Sequence, residues 1–341
     1  MRAISTLRYL VCLLALRWAS ASPIWPNALV PETDYLLENV SIPLSSTCRE
    51  VLSKRAEWDY SRCQDPDQAV TLALGYNEAK LLVAAAERSL VALNLFLAGS
   101  PSRDQALVWN PVLLDTYEAI YGRAINEDSG SLNGIVKSQL RDLISAAQRM
   151  RNALNNNLAP IIEIYCDTDW MIPQGIDKQG VPVFKDNRPQ NRGGQQILRF
   201  PPGRCDNQYQ RYYAFTGSYV PIGLDLTVYC PQHFTSWRFN RLTALINSAI
   251  PNTYYFNNID RDYIGLTVMH KLMHSRNILG DDAMVDLPCP QDLGLYECVV
   301  YLGENAPALS TNNADSFAHF AVAMYLNKWN WSQGFPVAVG L

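Results

Sequence analysis

The chain has four histidines, and two of them, His270 and His274, stand four residues apart inside an apolar run, Ile264, Val268 and Leu272, that recurs at helical spacing. Residues at i and i+4 lie on one helical face, so both imidazoles can reach a single metal ion; zinc takes such nitrogens at roughly 2.0–2.1 Å. The plainer alternative is a pair of partly buried histidines bonded to a neighbouring sheet. A metal site also needs a third ligand from the following loop, which offers Asp281, Asp282, Asp286 and Asp292. Asp286 is favoured because Met284-Val285 can anchor it, whereas Asp281 and Asp282 adjoin Gly280 as turn residues do. Asp315 and His319, also four apart, either line the same cleft or form a cap-region acid beside an ordinary histidine. His233 follows a β-like run and reads as a core or surface residue.

The elements that must carry these residues are alternately helical and extended. Asp65 can cap a helix with Pro66 in its first turn, and Val70, Leu74, Leu81 and Ala85 give it a buried face up to Gly99. Residues 105–125 and 132–154 read as two more helices. Short β-like runs follow at 161–166, 181–184, 196–200, 212–220 and 224–230, split by Gly, Pro and Asn. The 185–194 loop, with Arg188 and Arg192, reads as a solvated hairpin end. After the histidine helix comes a loop well beyond the about 12–15 residues at which structureless loops are usually functional or stapled. Ala314, Phe317, Ala318, Ala321 and Tyr325 then mark a closing helix, with Thr311 or Asn312 as its cap. The class expected is α+β.

Arg2 and Arg8 before an apolar run at 9–16, then Ala19-Ser20-Ala21, read as a signal peptide over residues 1–21; the run is too short for the about 20 residues a membrane span needs. A proline-rich lead-in follows over 22–64, then a single domain over 65–341, helical to 157 and carrying the sheet and metal site beyond. Cys12 falls in the leader and leaves an odd number of cysteines; in an oxidising compartment Cys166–Cys205 and Cys289–Cys298 are the expected pairs. Sequons at Asn39 and Asn330 agree with secretion. With 28 basic against 32 acidic residues, and three of the arginines in the leader, nucleic acid is not an expected partner. No membrane span is expected either.

The segments His270-Lys271-Leu272-Met273-His274, Val285-Asp286, Gly294-Leu295-Tyr296 and Asn313-Ala314-Asp315-Ser316-Phe317 together resemble, in content and order, the C-terminal half of the aspzincin metallopeptidases, the deuterolysins and lysine-specific metalloendopeptidases. That resemblance implies a zincin-like fold: N-terminal helices, a twisted sheet, the HxxxH helix beneath it and a closing helix. It implies zinc on His270, His274 and Asp286, with Asp315 and Tyr296 at the substrate pocket. The chain departs from the family in three places: Lys271 stands at the catalytic glutamate's position, Pro288-Cys289-Pro290 stretches the Asp-to-Tyr spacing, and Glu297 replaces a glycine. A basic residue at position 271 is similar to the fungal secreted His-Arg-x-x-His group, which includes zinc-scavenging antigens and allergens. The reading is a secreted, zinc-binding, metallopeptidase-like protein with weak or no proteolysis. An active zinc endopeptidase, with Lys271, Asp292 or Glu297 as base, and a metal-free interaction module stand as alternatives. Partners implied are zinc, a polypeptide substrate, and a host or cell-surface protein.

Overall fold

The computed structural model describes residues 61–338, apart from 64, 126–133, 157–161, 191–193, 200–204, 206–213, 220–222, 238–240, 249, 252 and 291–292. The leader, the lead-in and the Asn39 sequon lie outside the described residues. Those described fall in one compact unit, Glu57–Leu341.

Helix α1, Pro66–Ala98, begins where the sequence places it, with the Asp65 carboxylate accepting from the Asp67 backbone N–H. Among the described residues it is the one helix long and apolar enough to cross a membrane by length and composition, with mean hydropathy 1.7 over an 18-residue stretch. Its apolar side chains instead form the core: Leu72, Tyr76, Leu82, Val83, Leu90 and Leu93 are buried. The next expected helix is two, α2 at Arg103–Trp109 and α3 at Pro111–Tyr121. Pro111 has no N–H to continue the first helix, and the Asn110 side chain caps the second by accepting from Leu113 N. Helix α4 spans Val136–Leu154.

The extended half builds two small sheets in place of one twisted sheet. Strand β1, Ile162–Tyr165, is followed by β2, Met171–Ile176, which was not foreseen, and β3, Pro182–Asp186. Strands β4, Ile197–Arg199, β5, Ala214–Tyr219, and β6, Leu224–Tyr229, complete this region. One sheet has the order β1-β6-β5, with β1 parallel and β5 antiparallel to β6; the second is the antiparallel meander β2-β3-β4. Strand β2 escaped notice because all its residues after Met171 are exposed, so it lacks the alternation that marks a half-buried strand. Arg188, expected in solvent, is 3% exposed and lies between the Tyr165 and Trp170 rings, paired with Asp186 and Glu163.

Short helices α5, Phe234–Trp237, and α6, Leu242–Asn247, lead to α7, Phe256–Asp262, and to the histidine helix α8, Ile264–Met273. The expected long loop after α8 is largely helical: α9, Arg276–Leu279, α10, Leu295–Asn305, and α11, Pro307–Ser310, precede the closing helix α12, Ala314–Tyr325. The cap position of α12 is Asn313, not Thr311 or Asn312. A two-stranded ribbon, β7 at Trp329–Asn330 and β8 at Val337–Ala338, ends the described chain.

Helix α8 packs mainly against α1 and α12. Its contact with α1 is close because glycines face the partner helix: a Cβ on Gly75 would sit 2.8 Å from Ile264 Cγ2, and one on Gly265 would sit 2.6 Å from Glu78 Oε2. Ile264, Leu266, Val268, Met269, Leu272 and Met273 are all buried. At about 1.5–3 kcal/mol per fully buried side chain of this size, they fix the rotation of the helix and with it the face that carries His270 and His274. On the other side Thr216 Oγ1 of β5 donates to the Lys271 carbonyl at 3.2 Å, laying the mixed sheet on the helix.

Of the expected disulfides, Cys289–Cys298 is present. Cys166 pairs with Cys63, and Cys205 with Cys230. The expected Cys166–Cys205 bridge is therefore corrected: Cys166 ends β1 beside the start of α1, while Cys230 ends β6 and takes Cys205. Cys48 lies outside the described residues. The Asn330 sequon is half-buried, with its side-chain nitrogen donating to Asp115 Oδ2 at 2.8 Å.

Candidate metal centre

The chain turns sharply after α8, and hydrogen bonds fix the turn. Buried Asp225 of β6 accepts from the Ser275 hydroxyl and from Asn277 Nδ2, the latter at 2.7 Å. Met284 N then donates to Met273 O at 2.9 Å, bringing the loop back to the helix end. Val285 forms a one-residue parallel bridge with Asn313, and Leu287 N donates to Asn313 Oδ1 at 3.2 Å. Asp286 is thus held from both sides by the start of α12, the Asn-Ala-Asp-Ser segment that the sequence singles out. Cys289–Cys298 ties the same loop to α10.

His270, His274 and Asp286 meet here. His270 Nε2 lies 2.9 Å from His274 Nε2 and 2.8 Å from Asp286 Oδ1, and His274 Nε2 lies 3.2 Å from the same oxygen. Ligand atoms bound to one tetrahedral zinc sit about 3.3 Å apart, so this triangle has nearly the right edge lengths for such an ion. The outer nitrogens define the tautomers. His274 Nδ1 is 2.9 Å from the Met284 carbonyl, an acceptor, and His270 Nδ1 is 2.5 Å from Asp315 Oδ1. Each Nδ1 faces an acceptor and so carries hydrogen, and a neutral ring then presents its Nε2 lone pair on the side of Asp286 Oδ1. A proton on His270 Nε2, or a cation in its place, completes the contact between these atoms. Two imidazoles and a carboxylate are a donor set suited to zinc, and these residues fit such an ion.

The charges follow this layout. Burial works against a charged His270, but the Asp315 carboxylate and the bonds to Asp286 and Asp315 outweigh it and push its pKa up to about 9. Burial, with the positive charges of His270 and Lys271 beside it, lowers His274. Asp286, despite its partial burial, is held well below the usual carboxylate range by bonds to the two histidines. Asp315 is likewise lowered to about 2, His270 prevailing over burial.

Lys271 does not snorkel to the surface: its Nζ lies 3.3 Å from His270 Nε2, on the same side as the converging acceptors. Burial lowers its pKa, while Asp286, Asp315 and Asp260 act in the opposite direction. Asp315 stands behind His270 as the partner of its Nδ1, more than a helix-cap acid. Tyr296 is 2% exposed, stacks on Phe256 and donates its hydroxyl to the Trp331 carbonyl at 2.7 Å, so its polar atom is already engaged in the core. His319 is fully buried and donates Nδ1 to the Asp315 carbonyl. His233 lies against Trp237. Asp281 and Asp282 form a 3₁₀ turn, where Asp282 pairs with Arg149 at 2.5 Å; Asp292 lies outside the described residues. Glu297 accepts from Asn257 Nδ2 at 2.7 Å.

One acid at this centre was missed. Asp260 of α7 is buried, and burial together with the nearby Asp315 charge pushes its pKa up to about 7. Its sequence signal was an acid in helical phase with the buried Phe256 and Ile259, a position where apolar residues are expected.

No family model and no curated protein matches this chain. Among solved structures it is similar to one described as a zinc peptidase from Grifola frondosa, with TM-score 0.32 and 11% identity over 72% of this chain and 93% of that one.

Proposed function

We infer that this chain is a secreted, zinc-binding, metallopeptidase-like protein that cleaves peptide bonds weakly or not at all. The reading is carried by convergence: His270 Nε2, His274 Nε2 and Asp286 Oδ1 lie within 2.8–3.2 Å of one another, and each ring is held from behind through its Nδ1. Three disulfides among the described residues support an oxidising compartment.

A zinc ion there would supply Lewis acidity and lower the pKa of a bound water. The chain's own part in hydrolysis would be a base to take the water's proton, a contribution on the order of 10²–10⁴-fold. Lys271 occupies that helical position and, as an ammonium, has no lone pair to accept a proton. Glu297 is turned to Asn257, and Asp315 already holds His270 Nδ1.

Metal analysis of the purified chain tests the reading: one zinc per chain is expected, and none in the His270→Ala, His274→Ala double variant. Absence of zinc from the unaltered protein, or full retention by the double variant, overturns it in favour of a metal-free scaffold. For the missing base, chelator-sensitive cleavage of a denatured protein should be near background and should rise in Lys271→Glu by on the order of 10²-fold. Brisk cleavage by the unaltered chain returns the active endopeptidase.

A further inference from the structure

We propose that Asp225 is a positioning residue of this centre: from the sheet it sets the path of the turn that joins the histidine helix to Asp286, and so the geometry in which the two rings and the carboxylate meet a metal ion. The inference rests on the metal reading above and adds to it a determinant that lies outside the ligand set.

Strand β6 presents two unlike faces. Leu226 and Val228 pack with Tyr165 in a small apolar cluster, whereas Asp225, Thr227 and Tyr229, at alternate positions, are polar and buried. The polar face is spent on holding helices. Tyr229 donates its hydroxyl to that of Tyr76 of α1, and Thr227 shares a hydrogen bond at 3.3 Å with Thr216, which donates to the Lys271 carbonyl. Asp225 takes the turn after α8. A buried carboxylate is tolerated where hydrogen bonds replace its hydration. Here the Ser275 hydroxyl and Asn277 N, the latter at 3.3 Å, donate to Oδ2, and Asn277 Nδ2 donates to Oδ1 at 2.7 Å. These donors all belong to the segment just after His274, so the need to satisfy the carboxylate fixes that segment against the sheet.

The fixed segment governs the site through its backbone. With its hydrogen given to Asp225, the Ser275 hydroxyl turns a lone pair to Ile278 N at 3.1 Å and caps α9. Helix α9 and the 3₁₀ turn after it set the point of return, where Met284 N meets the Met273 carbonyl. The Met284 carbonyl faces His274 Nδ1 at 2.9 Å, and Asp286 stands two residues further on. Loss of the Asp225 carboxylate therefore frees the turn at its first residue. One ring and the third candidate ligand loosen together, although no ligating side chain has been altered.

The test is chelator-competed zinc binding by the full chain, together with the visible absorption of the cobalt(II)-loaded protein, which reports the number and arrangement of its ligands. Asp225→Ala should bind zinc about 10–100-fold more weakly, the scale on which groups behind metal ligands act, and its cobalt spectrum should change. Asn277→Ala, which trims a half-buried side chain, should move both readouts the same way but less. Asp225→Asn, which keeps one accepting oxygen, should fall between Asp225→Ala and the unaltered chain. Adding Asn277→Ala to Asp225→Ala should weaken binding little further, because the two residues act as a unit. Affinity and cobalt spectra that match the unaltered protein in both single variants, even where stability falls, overturn the proposal and leave Asp225 a residue that only holds the fold. If Asp225→Ala does not fold, Asn277→Ala decides by the same measure. Zinc binding that is lost with the two histidines but indifferent to the Asp225 and Asn277 substitutions sinks this inference alone. No binding by the unaltered chain sinks it together with the metal reading.

Discussion

The molecule holds two groups of charged side chains, one buried and one open to the surface at Asp286, and they are put together differently. Just past β3 of the meander, Arg188 has its guanidinium bonded to both oxygens of Asp186, at 2.6 Å for Nη2, and to Glu163 of β1 in the mixed sheet at 3.4 Å. Tyr165 donates its hydroxyl to the same Glu163 oxygen at 3.1 Å, and the Trp170 ring covers the guanidinium at 4.5 Å. Every donor in that description faces an acceptor. At the end of α8 the pattern is inverted, with two Nε2 atoms and a carboxylate oxygen converging within 2.8–3.2 Å and a lysine ammonium alongside. The first group is closed by hydrogen bonds, with one guanidinium serving two carboxylates. The second brings two ring nitrogens and a carboxylate oxygen to one point, the arrangement of donors that could take a metal ion.

The comparison breaks most visibly at Arg188. Replacing Arg188 with Met leaves Asp186 and Glu163 buried without their cation, a change expected to cost about 3–5 kcal/mol of stability. Zinc stoichiometry should be unchanged. Denaturant unfolding alongside metal analysis of the folded fraction checks both halves. A variant that keeps its stability but loses zinc would erase the distinction between the closed and open groups.

A smaller effect is expected at Asp315, which touches His270 on the side away from the converging atoms. Asp315→Asn removes the charge that holds His270 Nδ1 and its ring orientation, and partners of this kind tune metal affinity by about 10–100-fold. Competition with a chelator measures it. An unchanged affinity would mean that the Asp315 contact does not position the ring.

The two groups also differ in how far the sequence exposed them. Two histidines at helical spacing, flanked by Ile264, Val268 and Leu272, are legible because periodicity alone places them on one face of α8. Asp286 was separable from Asp281 and Asp282 through its apolar neighbours, which do anchor the loop, Val285 by its bridge to Asn313. Arg188 was misread because a charged residue between Pro189 and Asn187 looks like any solvated turn; its partners come from Glu163, distant in sequence, and from rings on β1 and the following turn. Asp260 and the Cys63–Cys166 bridge escaped for the same reason, since both depend on which elements pack together. The α10 helix was hidden inside a segment read as loop because Cys289, Pro290 and Gly294 punctuate its approach, leaving Leu295–Asn305 looking like a continuation.

The subtlest separation of the two groups is by protons. His270 keeps its proton until pH approaches about 9, because Asp315 and Asp286 outweigh the burial that would remove it. A ligating imidazole must give that proton up, so below this pH zinc displaces it and affinity rises with pH by up to about tenfold per unit for one proton. The rise should run from neutral pH to about 9 and then level off. Calorimetry in buffers of different ionisation enthalpy should count close to one proton released per zinc at pH 7, with the count falling toward zero above 9. In Asp315→Asn the levelling should move to lower pH, since Asp315 is the strongest of the influences raising the His270 value. A flat affinity between pH 7 and 9 in the unaltered chain would mean that the His270 ring is already neutral there, and that Asp315 and Asp286 do not hold its proton.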